Sequence, residues 1–516
     1  MFNRSAHLFA RERDCPAKVA LHFEDQAITF AALAAQVRAM SAELARQGVE
    51  RGCRVGIMLP TSPDFIVVQQ ALFLIGAIVS PLNIFYRPTE VAHVVASCDL
   101  THLIVHADLI DRAPTDCIGL RSLRNVLMIG GDGGAVTSGI APLQPGIAAG
   151  EGPKPAEVAA DDIVMLLNTS ATTGKSKGVM LTAANLAANY DRTPAWLGLT
   201  AADVILCALP LYNTFGLNQG INAMLVTGAT MVLLPRFDAR KCVEAICRFH
   251  CTFVPAVPTM LQKIVDEVRP GSADLESVKH VMTGGAPVPA PLLRRVLATM
   301  GPDTVVLTGY GLTEGTALVT LTAVRLDASG DLEHGRTIGR VLDGMELAIR
   351  SEGGEILPPN SVGEIVVRGP NVMAGYHKAP YDTAAAMADG WLLSGDLGYI
   401  DTEGYAFIVD RKKDVIIRGG QNIYPADIEE VLYQCAGVAE AAVVGIADDM
   451  LGEVPVAYVA LQPAADVSAS RLIEHCRAEL AHYKVPAEIV IRPELPKGPT
   501  GKILRRALRP QQAAVA

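Results

Sequence analysis

The sequence is poor in aromatic residues, in positive charge and in paired cysteines. Only 5% of its 516 residues are Phe, Trp or Tyr, and two of them are Trp. Lys and Arg number 44 against 54 Asp and Glu, a formal net charge of −10. Binding nucleic acid calls for a basic face that neutralises phosphates. That function class is excluded as the main role, while a small anionic ligand in a local pocket remains compatible. The ten cysteines are scattered, with no CxxC pair, so neither a disulfide framework nor a zinc ribbon is expected. Cys242, Cys247, His250 and Cys251 lie close together, but their spacing fits no zinc finger. Val243, Ile246, Cys247 and Cys251 read more simply as the apolar face of a helix. Long hydrophobic runs are also missing. The stretch from Phe65 to Phe85 is interrupted by Gln69, Gln70, Ser80, Pro81 and Asn83, which predicts a buried helix and then a strand rather than a membrane span. The first residues, MFNRSAHLFARERD, have no apolar signal core. A cytoplasmic, reducing location is expected, and nothing in the sequence sets an oligomeric state.

What is present is an ordinary globular composition, 50% hydrophobic and 19% charged. At roughly 150 residues per domain, the length corresponds to three or four compact units. Thr29 is placed to cap a helix with Leu33, Val37, Met40 and Leu44 on one face, stopped near Gly48. Arg54 to Leu59 reads as a strand, Ser62 as the cap of a helix through Ile75, and Ala77 to Pro81 as a strand. A polar helix over Thr89 to Cys98 and a strand at Leu103 follow. This alternation predicts a mostly parallel sheet with helices on its faces. Gly130 to Pro155, rich in Gly, Ala and Pro, is expected to be a connecting loop. A second alternating block runs from Ile163 to about Thr322. From Gly335 to Asp410, short β runs separated by turn residues predict a small β-rich unit. Beyond it, a helix starting at Pro425 with Asp427, Glu429 and Glu430 at its N-terminus, strands at 441–445 and 454–461, and a helix over 470–480 suggest a self-contained unit. The boundary is placed near Asp410 to Lys413.

Six segments are candidates for chemistry. Asn168-Thr-Ser-Ala-Thr-Thr-Gly-Lys-Ser-Lys-Gly178 follows the buried strand Ile163 to Leu167, and its hydroxyls and lysines suit polyphosphate oxygens. It is not a Walker A loop, which needs glycine at position 169, where Thr169 stands. Gly284-Gly-Ala-Pro287 follows a strand expected at Val278 to Met282 and lets a planar ring approach the backbone. Thr308-Gly-Tyr-Gly-Leu-Thr-Glu314 sets an aromatic between glycines, with a carboxylate four residues on. Ser394-Gly-Asp-Leu-Gly398 offers Asp396 to vicinal hydroxyls. Asp410-Arg-Lys-Lys-Asp414 leads into Arg418-Gly-Gly-Gln-Asn-Ile-Tyr-Pro425. Pro496-Lys-Gly-Pro-Thr-Gly-Lys-Ile-Leu504 presents Lys502.

Taken together and in this order, the segments resemble the adenylate-forming superfamily: acyl-CoA synthetases, aryl-CoA ligases, nonribosomal adenylation domains and luciferases. The resemblance spans nearly the whole chain and is strongest, over 410–430, to acyl-CoA synthetases. It implies an α/β fold with a large N-terminal domain, residues 1–410, of mostly parallel sheets flanked by helices plus the β-rich unit. A mobile, smaller α+β C-terminal domain, residues 411–516, would carry the catalytic lysine. It also implies attack of a carboxylic acid on the α-phosphate of ATP, giving acyl-AMP and pyrophosphate, and then transfer to the thiol of CoA. A carrier-protein phosphopantetheine, or an amine as in ligases resembling coronafacate ligase, is the alternative acceptor.

Carried over position by position, the resemblance assigns Thr169, Ser170, Thr172, Thr173, Gly174 and Lys175 to the ATP phosphates, and Glu314, with Thr169 or Thr313 nearby, to Mg²⁺. Gly285, Ala286, Pro287, Tyr310 and Gly311 would hold the adenine, with Asp396 and Arg411 on the ribose. Tyr212, Asn213, Phe215, Thr283, Gly309 and Leu312 would line the acyl pocket, with Val257 and Met260 beside them. Lys502 would bridge the carboxylate and the α-phosphate. Lys413 would be the hinge, and Gly419 and Gly420 would leave room for the thiol arm or simply form a turn. Lys177 is either a phosphate contact or a solvated lysine. The mostly apolar pocket set favours a neutral acyl tail.

Two positions depart from the family pattern. Ala171 replaces a glycine of the phosphate loop, a strain of about 1–3 kcal/mol if that position has φ > 0. Asn213 stands where the family usually has histidine. Asn213→His is expected to change acid selectivity or acceptor choice more than ATP dependence, because its motif position lies at the acyl pocket. A panel of acids and acceptors assayed on variant and parent checks this, and a shift confined to ATP dependence would move that loop away from the acyl site.

Overall fold

The computed structural model describes residues 2–113, 120, 122–131, 140–143, 153–169, 176–268, 275–286, 288–301, 303–327, 329–448, 450–462, 465–497 and 503–509. The first alternating block folds as its periodicity predicts. Thr29 caps the helix Phe30–Arg46, its hydroxyl accepting from the Ala32 amide at 3.2 Å, and Leu33, Val37, Met40 and Leu44 are buried. The helix Pro63–Ile75 is apolar all round and is correspondingly buried from Phe65 through Leu74. Ser62 precedes it, but its side chain makes no capping bond; Pro63 and the left-handed Gly76 delimit the helix instead. Strand Arg54–Met58 pairs in parallel with Ile78–Pro81 on one side and His102–His106 on the other.

Two large sheets result. Among the described residues, one has eight strands, and it takes in Ile163–Asn168 and, antiparallel beside it, Gly178–Thr182. The other has ten, with Val204–Cys207, Phe253–Ala256, His280–Gly284 and Val305–Gly309 in parallel succession. One apolar cluster draws on both sheets: Val55 and Val79 from the first, Ile205 and Met231 from the second, with Phe65 and Leu72 of the buried helix among them. Burying both faces of parallel strands requires this layering. A five-stranded, largely antiparallel sheet made from 346–411 forms the β-rich unit. The architecture is the α/β fold expected, and no helix among the described residues is long and apolar enough to cross a membrane.

Several local expectations need correction. The segment from Gly130 to Pro155 is not all loop, because Ile140–Pro142 adds a parallel strand beside Asn125–Ile129. The strand expected at 278–282 runs from His280 to Gly284, since a turn in which the Val278 amide donates to Leu275 O delays it. Cys251 is not on the helix Ala239–Phe249. His250 turns the chain left-handed at φ 50°, and Cys251 is buried just beyond, while Cys242 and Ile246 form the helix's buried face. The described residues contain no cluster of three or more His, Cys, Asp or Glu side chains able to hold a metal.

The last unit is a five-stranded sheet in which Val438–Asp448 runs antiparallel to Gly452–Leu461, itself parallel to Glu488–Arg492. Helices Pro425–Gln434 and Ala469–Glu479 cover one face. The second helix, expected over 470–480, runs from Ala469 to Glu479, capped by Ser468, whose side chain accepts from the Arg471 amide. Glu429 does more than face a helix dipole. Both of its carboxylate oxygens accept from Arg505 at 2.8 Å, and Oε1 also accepts from the Val443 amide. The same guanidinium reaches Asp410 at 3.4 Å and Asp414 at 3.3 Å. Burial raises the pKa of both Asp410 and Glu429, with the Arg505 charge opposing it.

Arg505→Leu should therefore strand two buried carboxylates and cost about 3–5 kcal/mol. A carboxyl group whose folded pKa is raised gives stability that is complete below the unfolded value of about 4 and is lost as pH rises. The variant's deficit in melting temperature is expected to be full at neutral pH and to shrink toward pH ~4. A deficit independent of pH would contradict the assignment.

Candidate active site

Parallel strands bring the candidate residues to one edge. Val204–Cys207 leads to Tyr212 and Asn213, Phe253–Ala256 to Val257, His280–Gly284 to Gly285 and Ala286, and Val305–Gly309 to Tyr310 and Glu314. The register sets Thr283 opposite Thr308 and Gly284 opposite Gly309. In open α/β sheets the crevice beyond the carboxyl ends of the strands is where ligands bind. Gly311 is required sterically, since a Cβ there would lie 1.9 Å from the Ala317 carbonyl oxygen.

Tyr310 is 8% exposed and packs on Val319, Ile349, Ile365 and Val367 of the β-rich unit's apolar cluster. Its hydroxyl donates to Asp396 Oδ2 at 2.6 Å, and Arg411 Nε pairs with Asp396 Oδ1 at 3.2 Å. Burial, and then the Asp396 charge, push the Tyr310 phenol well above its ordinary pKa, so it stays a donor. Asp396 and Arg411 face each other across antiparallel strands Trp391–Ile400 and Ala406–Arg411. Beside them is a cleft of about 380 Å³ lined by Ser394, Gly395, Asp396, Arg411, Lys412 and Lys413.

The phosphate-loop candidate closes a hairpin. Ile163–Asn168 and Gly178–Thr182 are antiparallel, with Asn168 opposite Gly178. The Thr169 amide donates to Lys177 O, the Lys177 amide to Thr169 Oγ1, and Ser176 Oγ to Thr169 O. A strand–loop–strand closure differs from the strand–loop–helix of a P-loop, which agrees with rejecting Walker A. Ser170, Ala171, Thr172, Thr173, Gly174 and Lys175 lie outside the described residues, as do Pro287 and Lys502. Lys502's flanks are described: Lys497 and Ile503 are bridged, and the Leu504 amide donates to Pro496 O at 2.7 Å.

Lys177 is not simply solvated, for it pairs with Asp382 at 2.5 Å and lies 5.1 Å over the Tyr376 ring. The Tyr376 hydroxyl donates to Glu314 Oε1 at 2.8 Å. Thr169, Lys177, Tyr376 and Glu314 thus form one connected group. Sequence reasoning passed over Tyr376 and Arg505. Each partner is far along the chain, and neither residue lies in a glycine-rich or hydroxyl-rich pattern.

On the acyl side, Tyr212 is buried with a hydroxyl that has no hydrogen-bond partner among the described residues, and so are Thr283 and Thr308. Asn213 is half-buried and opens a helical segment from Thr214 to Thr227, with a wider π turn at Leu217–Asn222. Phe215 packs against two apolar clusters. Gly419 (φ 55°) and Gly420 (φ 80°) form the two-residue turn of a hairpin in which Arg418 pairs with Gln421. Two left-handed residues in such a turn favour glycine, so their backbone alone explains them.

Comparison with known proteins fits this geometry. The AMP-binding enzyme family profile matches residues 8–377, and that of the AMP-binding enzyme C-terminal domain matches residues 427–502. The chain belongs to the AMP-binding enzyme family. It is 34% identical over 505 residues to a 3-[(3aS,4S,7aS)-7a-methyl-1,5-dioxo-octahydro-1H-inden-4-yl]propanoyl:CoA ligase of Rhodococcus jostii, covering 95% of this chain and 94% of that protein. It is also 34% identical to a feruloyl-CoA synthase of Amycolatopsis, covering 97% of both. A solved structure of o-succinylbenzoate coenzyme A synthetase from Bacillus subtilis, in complex with ATP and magnesium, superposes with a TM-score of 0.82 at 31% identity, covering 97% of this chain and 98% of that one.

Asp396→Ala removes the acceptor of Tyr310 and the partner of Arg411. With the two ribose hydroxyls as its proposed ligands, the loss is about 1.5–3 kcal/mol. The apparent ATP requirement is expected to rise about tenfold to a hundredfold. An unchanged KM for ATP would remove Asp396 from the nucleotide site.

Proposed function

We infer that this chain is an ATP-dependent carboxylate–CoA ligase: it activates a carboxylic acid as its acyl-AMP, releasing pyrophosphate, and passes the acyl group to the CoA thiol. The carrying observation is that four adjacent parallel strands end together at Tyr212–Asn213, Val257, Gly285–Ala286 and Tyr310–Glu314, beside the Asp396–Arg411 pair. The CoA ligase relatives favour CoA over a carrier protein or an amine as acceptor. The scattered cysteines, with no CxxC pair, support a reducing, cytoplasmic setting.

In this reading Asp396 accepts from the ribose hydroxyls, and Gly285, Ala286 and Tyr310 bound the adenine. Thr169 to Lys175 wrap the β- and γ-phosphates. Glu314 suits Mg²⁺, because its Oε1 is taken by Tyr376 while Oε2 has no hydrogen-bond donor among the described residues. A single carboxylate is what a site needs when substrate phosphates supply the other oxygens. Bound Mg²⁺ would neutralise phosphate charge there. Lys502 would draw the carboxylate and the α-phosphate together and stabilise the charge that develops between them. Residues 411–516 would form the moving domain, hinged at Lys413, with Gly419 and Gly420 at the thiol passage. The acyl tail is neutral, since Tyr212, Asn213, Phe215, Thr283, Gly309 and Leu312 include no cation.

Release of AMP with CoA, with holo carrier protein and with amino acids, over a panel of acids, tests the acceptor and the tail. Lys502→Ala is expected to slow adenylation a hundredfold or more, from about 3–5 kcal/mol of lost stabilisation, and largely to spare thioester formation from supplied acyl-AMP. Equal losses in both half-reactions would contradict the role.

A further inference from the structure

Glu314 sits in a short turn after a strand, and its carboxylate would rotate freely unless something held it. The strand Gly375–Tyr376 does so from the other large sheet. Tyr376 lies opposite Val179, on the strand that leaves the phosphate-loop hairpin. Its hydroxyl donates to Glu314 Oε1 at 2.8 Å, and its amide donates to Thr383 Oγ1 at 2.9 Å. The Met373 amide donates to the Glu314 carbonyl at 2.8 Å. Lys177, two residues before Val179, sits over the Tyr376 ring and is anchored by Asp382. The ring is therefore held by its hydroxyl, by its backbone and on one face. A donor fixed on Oε1 selects Oε2 as the oxygen offered to a cation, as hydrogen bonds behind a metal ligand do generally.

We propose that Tyr376 is a positioning residue for the nucleotide-bound divalent cation: it sets the orientation of Glu314 and ties it to the hairpin that closes the phosphate loop. The proposal rests on Glu314 being the cation residue. Its test uses Mn²⁺ as the probe, with free Mn²⁺ followed by electron paramagnetic resonance in the presence of a non-hydrolysable ATP analogue. The proteins are the parent, Tyr376→Phe, Glu314→Gln and the double variant.

Tyr376→Phe keeps the ring and removes only the donor. It is expected to weaken Mn²⁺ binding about tenfold. Metal-free analogue binding and the melting temperature should be unchanged. In turnover, KM for Mg²⁺ should rise, while saturating Mg²⁺ restores kcat. The double variant should bind Mn²⁺ no more weakly than Glu314→Gln alone, because the hydroxyl acts only through that carboxylate. Additive losses overturn the proposal. So does unchanged Mn²⁺ affinity in Tyr376→Phe beside a weakened Glu314→Gln, which leaves the Glu314 reading standing. Unchanged affinity in Glu314→Gln overturns that reading itself and this proposal with it. A lowered melting temperature with unchanged metal affinity assigns the hydroxyl to folding and overturns the proposal as well.

Discussion

The site depends on one register. Strands His280–Gly284 and Val305–Gly309 pair in parallel so that Thr283 meets Thr308 and Gly284 meets Gly309. Their last residues, and the turns that follow, emerge side by side. Side chains alternate along a strand, so a slip of one strand by one residue would send Thr283 or Thr308 to the face opposite its partner. The spacing is tight as well, with a Cβ at Gly284 coming within 2.9 Å of the Gly309 carbonyl oxygen. Small residues here keep two backbones close enough for the turns beyond them to face a shared ligand.

The second requirement is a seam between the two large sheets. The turn holding Glu314 belongs to one sheet and the phosphate-loop hairpin to the other, and the apolar cluster beneath them includes residues of both. Across this seam run polar contacts: the Tyr376 phenol on the Glu314 carboxylate, the Met373 amide on the Glu314 carbonyl and the Asn371 side-chain amide on the Gly315 carbonyl. In the proposed reading, Asp396 and Tyr310 would fix one end of the nucleotide's track, and Glu314 with Thr169 the other.

Much of this was legible in the sequence, where local rules act without competition. Thr29 before an apolar periodic run is a helix start on any reading, and the chain obeys it. The glycine-rich and hydroxyl-rich segments declared themselves by composition, and the order of six such segments pointed to the family. Boundaries slipped where tertiary bonds decide them. The strand after Leu275 starts late because the Val278 amide first closes a turn on Leu275 O. Tyr376 and Arg505 were invisible for a deeper reason. Tyr376 bonds a residue 62 positions away, and Arg505 bonds one 76 positions away. No periodicity encodes such a partner, and a half-buried guanidinium among carboxylates reads in sequence like any surface arginine.

Segment 371–376 touches the Glu314 turn repeatedly. Asn371 Nδ2 donates to Gly315 O, Thr316 Oγ1 donates to Asn371 O, and Met373 and Tyr376 bond Glu314 itself. A strand and a turn joined at so many points open together rather than separately. Their backbone amides therefore share a single opening free energy, and they exchange with solvent deuterium as one cooperative unit. Any ligand that binds the Glu314 turn slows exchange across the whole segment, including residues it never touches.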